Sequence, residues 1–84
     1  MSKRDKLIKR FNKLPNDFTW EELVQLFGIF GFSIDNKGKT SGSRVLFVKE
    51  NKKFFAHKPH PEGIIKKYSM KQILDFLKNN DFIN

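Results

Sequence analysis

The alternation of hydrophobic and polar residues divides the chain into helical and strand-like blocks. In SKRDKLIKRFNKLP, residues 2–15, Leu7, Ile8 and Phe11 share one helical face; Ser2 or Asp5 can cap its start, and Pro15 ends it. PND then turns the chain. TWEELVQLFGIFGF, residues 19–32, carries the clearest helical signal. Thr19 and Glu22 have capping-box spacing. Trp20, Leu23, Val24, Phe27 and Phe30 recur at a near-helical period, and Gly31 suits the C-terminal cap. Gly28 weakens this helix and is expected to permit close packing against a neighbour. FSIDNKG holds a short edge strand and a turn at Asn36, Lys37 and Gly38. RVLFVKE and KKFFAHK are rich in branched and aromatic residues; with the reversal at Glu50 and Asn51 they predict a hairpin over residues 44–58. PHPEGIIKKY reads as a loop. Ser69 and Gln72 then form a second capping box, opening a helix that buries Met70, Ile73, Leu74 and Leu77, with Phe76 beside them.

The order helix, helix, strand, strand, strand, helix predicts an α+β fold. A three-stranded antiparallel sheet with helices packed on one face satisfies it. The other face is left open or meets a partner. A length of 84 residues implies one domain with a modest core, and the ten phenylalanines must supply most of it.

Charge narrows the functional classes. Seventeen Lys and Arg against nine Asp and Glu give a net charge of +8, a surface that attracts polyanions. Nucleic acid, an anionic membrane or an acidic protein all fit that balance. The absence of cysteine excludes disulfides and thiolate metal sites. No apolar run approaches the roughly 18 residues of a membrane span, and the charged N-terminus lacks a hydrophobic signal core, so a cytoplasmic location is expected.

GKTSGSRV, residues 38–45, raises the question of phosphate binding. A Walker loop needs a glycine five residues before Gly38, where Ser33 stands, and it should open a helix rather than a strand. The stretch is instead a turn in which Lys37, Lys39 and Arg44, with Thr40, Ser41 and Ser43, can offer charge and donors to a phosphate. Arg44 can hold a phosphate by paired hydrogen bonds and stabilise charge on a pentacoordinate phosphorus, but it cannot act as a base. His57 and His60 are the candidates for proton transfer, since imidazole titrates near neutral pH. As a metal site, His57 and His60 have only Glu62 as a nearby carboxylate, short of a full ligand set, and no metal or other cofactor is expected.

G-x-x-S-G-S at residues 38–43, entering the second strand, is followed by His60-Pro61, the pair Lys66 and Lys67, and Ser69 before the last helix. In this order and spacing the chain resembles the HicA family of toxin ribonucleases, over roughly residues 19–84; residues 1–18 read as an added N-terminal helix and turn. The resemblance implies a fold similar to the double-stranded-RNA-binding domain. It also implies the toxin half of a type II toxin–antitoxin system, cleavage of mRNA without a metal cofactor, and a HicB-like antitoxin that is acidic where it covers the active face. On such a fold Lys66, Lys67 and Lys71 are placed to grip RNA phosphates. The family's usual catalytic histidine directly follows Gly-Ser; this chain has Arg44 there. Arg44 would then hold or stabilise phosphate while His57 or His60 handles the proton. A non-catalytic RNA-binding module and a basic protein-interaction domain are the alternatives.

Overall fold

The computed structural model describes residues 2–35, 44–59 and 63–83. Its elements are α1 (Lys3–Asn12), α2 (Trp20–Ile29), β1 (Ser33–Asp35), β2 (Arg44–Lys49), β3 (Lys52–His57) and α3 (Lys67–Asn79). The fold is α+β, with the strands in the order β1-β2-β3 and antiparallel throughout.

Local chemistry sets most of the helix ends. Ser2 caps α1 by accepting from the Asp5 N–H. At the other end Leu14 takes φ 50° and donates to the Phe11 carbonyl. Pro15 has no N–H with which to extend that cap. The capping box of α2 forms in full: the Thr19 hydroxyl accepts from the Glu22 N–H and the Glu22 carboxylate accepts from the Thr19 N–H. Beyond α2, Gly31 at φ 92° donates to Gly28 and Phe32 donates to Phe27, a Schellman arrangement in which the Phe27 and Phe32 rings meet edge-on at 5.1 Å. Asp81, at φ 64°, plays the glycine's part after α3, where Asp81 donates to Lys78 and Phe82 to Leu77.

Two expectations need correction. Helix α3 starts at Lys67, with Lys66 as its cap residue and no side-chain cap, so Ser69 and Gln72 form no capping box. A tertiary contact decides this start: Trp20 donates to the Gly63 carbonyl and Ile65 to the Phe18 carbonyl, pairing residues 63–65 with the entry to α2. The chain is thereby delivered to its first helical turn before Ser69 is reached. Gly28 is the second correction. A side chain built there would meet nothing within 4 Å, so its missing Cβ makes room for no neighbour.

The core lies between the helices and one face of the sheet. Val45, Phe47, Phe54 and Ala56 turn inward. Phe27 is its hub, stacked on Phe47 at 4.2 Å and within 6.4 Å of the Phe54 and Phe76 rings. Each such ring pair contributes about 0.5–1.5 kcal/mol beyond the area it buries. Lys49 shares the inward face at its end, where its Nζ donates to the Phe30 carbonyl at 2.7 Å and lies over the Phe82 ring. Helix α1 is fastened to this body by the fully buried Phe11, edge-on to Phe18, and by Arg10, which bridges Asp17 and Glu22.

Candidate nucleic-acid interface

Strand alternation sends every second residue of the hairpin away from the helices. On β2 these are Arg44, Leu46 and Val48; on β3 they are Lys53, Phe55 and His57. A two-residue reversal at Glu50 and Asn51 sets the register, so Lys49 faces Lys52 and, at the far end, Arg44 stands directly opposite His57. Arg44 and His57, at the two ends of the hairpin, are thus cross-strand partners on one face.

Arg44 lies across Phe55, its Cζ 5.3 Å from the ring centroid. Phe55 is 56 % exposed, one of three large hydrophobic residues left in solvent among the described residues, with Ile34 and Tyr68. Neither Arg44 nor His57 has a carboxylate partner among the described residues. No carboxylate of the described residues takes up the guanidinium's donors.

His57 also stands at the edge of the sheet beside the start of α3. With Pro59, Lys66, Tyr68 and Ser69 it lines a cleft of about 210 Å³. A second cleft, of about 160 Å³, runs between β3 and α3, again with His57 and Tyr68 on its wall. Lys66, Lys67 and Lys71 are exposed at and just beyond the N-terminus of α3, whose first turn has no carboxylate. First-turn amides without an intrahelical partner favour an anion, and the lysines add to that preference.

Of the residues singled out from sequence, Arg44 and His57 are brought face to face, and Lys66 is brought beside His57. Lys67 and Lys71 extend the basic surface along α3. Lys37, Lys39, Thr40, Ser41, Ser43 and His60 lie outside the described residues, as do Glu62 and the turn at Asn36 to Gly38. Phe55 and Tyr68 were not singled out, though both are exposed, Tyr68 at 63 %. The signal for Phe55 was present: two consecutive phenylalanines in one strand point to opposite faces, so one of them must leave the core. Among the described residues, no three metal-ligating side chains converge, and no helix is long and apolar enough to cross a membrane.

Such a sheet, with cations and an exposed ring on the face turned away from the helices, defines a small basic α+β domain. Residues 20–79, from the first residue of α2 to the last of α3, match the family model described as the HicA toxin of bacterial toxin-antitoxin. The chain belongs to the HicA toxin family; it is a toxin of the toxin–antitoxin type, and an antitoxin is its implied partner. No curated protein and no solved structure matches it.

Proposed function

We propose that this toxin binds mRNA in the cytoplasm and cleaves it without a metal, with the Arg44–His57 pair at the centre of the site. The observation that carries the reading is their direct opposition on the face turned away from the helices, with the Phe55 ring beneath the guanidinium. Arg44 holds the scissile phosphate and stabilises the charge that builds on its oxygens. A histidine takes the proton of the ribose 2′-hydroxyl, whose oxygen attacks phosphorus; the bond to the 5′-oxygen breaks and that oxygen receives a proton. His57 and His60 divide these two roles. The exposed Phe55 ring offers a base a stacking surface. Lys66, Lys67 and Lys71 hold flanking phosphates, joined by Lys37, Lys39, Thr40, Ser41 and Ser43 from the loop before β2. A HicB-like antitoxin, acidic on its contact surface, silences the toxin by covering this face. Residues 1–18 are an addition to the family's common domain, which spans 19–84.

Cleavage of RNA by the purified chain is the test. Replacing His57 and His60 together by alanine should lower the rate by at least about 100-fold. Full-rate cleavage by that variant overturns the proton-transfer roles. Arginine where the family usually has histidine favours a second reading, a non-catalytic RNA-binding module. That reading predicts salt-sensitive RNA binding without any cleavage product, which a gel separates from the first.

A further inference from the structure

The first 18 residues hold six lysines and arginines against two carboxylates, which is half of the net charge of +8. All six cations lie on α1 or its cap residue, ahead of the residues that match the family. The structure sorts them into two groups. Arg4 and Arg10 serve the fold: Arg4 donates to the Ile29 carbonyl at the end of α2, and Arg10 is held between Asp17 and Glu22. Lys6, Lys9 and Lys13 are exposed and have no side-chain hydrogen bond or ion pair among the described residues. Their spacing of three and then four residues puts them on one stripe of the helix, where they line a shallow cleft of about 280 Å³ with Arg10 and Pro15.

Helix stability does not account for this stripe. Like charges three and four residues apart repel, as Lys6 does with Lys9 and Arg10, and Lys9 with Lys13. Cations in the first turn also oppose the helix dipole, and Lys3 and Arg4 stand there with only Asp5 to offset them. A bound polyanion relieves both. A membrane does not fit, because the apolar residues of α1, Leu7, Ile8 and Phe11, are all turned to the core and none is left to enter a bilayer. A protein partner fits poorly, because an interface needs an apolar centre and this stripe has none. A row of equal charges without apolar residues suits the repeating phosphates of a nucleic-acid backbone.

We infer that Lys6, Lys9 and Lys13 form a second RNA-backbone contact, built on α1 and separate from the Arg44–His57 site. The helix that carries the stripe is held to the body by the buried Phe11 on its opposite side and by Arg10, ion-paired to Asp17 and Glu22, at the stripe's border. It gives affinity without reading sequence.

This inference rests on the proposed RNA-binding function, and the experiment separates the two. The probe is a labelled oligoribonucleotide with 2′-O-methyl groups, which keeps every phosphate but lacks the attacking hydroxyl. Binding by the full chain and by its K6Q/K9Q/K13Q variant is followed by anisotropy across a salt series. The slope of log affinity against log salt should fall in magnitude by about 2–3 in the variant, with its thermal unfolding unimpaired. Lys9→Gln alone should lower the slope by about 0.7–0.9, whereas Lys78→Gln, equal in charge, should leave it unchanged. If the full chain binds and the triple variant has the same affinity and slope, the inference is overturned while the proposed function stands. If the triple variant keeps its RNA slope but loses affinity for the cognate antitoxin, the stripe is a protein interface and the inference is overturned. Absence of RNA binding by the full chain overturns both.

Discussion

Two arginines in this protein lie over phenylalanine rings, and their surroundings could hardly differ more. Arg10 sits 5.7 Å from the Phe18 centroid and Arg44 sits 5.3 Å from that of Phe55. Phe18 is fully buried, and its arginine is closed off by Asp17 and Glu22. Its hydrogen bonds to the Glu22 and then the Asp17 carboxylate hold the Arg10 guanidinium even more firmly protonated than usual. Phe55 is mostly exposed, and Arg44 has no carboxylate partner among the described residues. The same side-chain pair is a fastener in one place and an open socket in the other. What separates them is whether the described residues supply the guanidinium with a counter-charge.

Removing the buried ring should have the largest effect. Phe18→Ala empties a fully buried site and should cost about 3–5 kcal/mol. That is a large share of the roughly 4–13 kcal/mol expected for a chain of this size. Urea unfolding measures it, and a midpoint close to that of the unaltered protein would break the contrast between the two rings.

Next comes the open arginine. Arg44→Gln should leave the urea midpoint nearly unchanged and slow RNA cleavage by about 100-fold or more. Equal cleavage by the variant would reduce Arg44 to a surface residue. Arg10→Gln should do the reverse, lowering the midpoint while the cleavage rate of the folded fraction is kept.

The carboxylate that closes the first pair makes a smaller, pH-dependent contribution. The hydrogen bond from Arg10 holds the Glu22 carboxyl below its ordinary range, assisted by the Thr19 N–H, while partial burial opposes this. The unfolded chain therefore takes up the proton at higher pH than the folded one. The stabilisation is complete above the ordinary carboxyl range and is lost as pH falls through the lowered folded value. Glu22→Gln keeps an acceptor for the capping box but removes the ion pair, so it should cost about 0.5–1 kcal/mol at neutral pH. The difference from the unaltered protein should shrink below about pH 4. A difference that stays constant across that range would assign the effect to packing instead.

Much of this arrangement can be read from the chain, and the reasons for the remainder are physical. The capping box of Thr19 and Glu22 and the glycine stop at Gly31 are local signals, and α2 obeys them. Ser69 offers the same local signal but is overruled, because Ile65 is paired with Phe18, 47 positions away in a chain whose spacing encodes no such contact. The Arg44–His57 opposition follows from the reversal at Glu50 and Asn51, which fixes every pair across the hairpin. Arg10 is different: its basic neighbours make it one more member of a charged helix face, and only the folded chain brings Asp17 and Glu22 to it. The loop before β2 was read for phosphate contact, and it lies outside the described residues.

The exposed ring supplies the smallest and most diagnostic stability effect. Phe55→Ala removes a side chain that is already 56 % in solvent and leaves no sealed cavity. Its loss of packing is therefore limited, and an exposed cation–π contact with Arg44 adds about 0.5–1 kcal/mol at most. A total cost of no more than about 1 kcal/mol is expected, several-fold below that of Phe18→Ala. The strand should persist, since Phe54 and Ala56 still point inward and the register with β2 is unchanged. A cost approaching that of Phe18 would mean that the sheet's outer face supports the fold. A small cost means that any weakening of RNA binding in this variant belongs to the lost ring itself and not to a loss of fold.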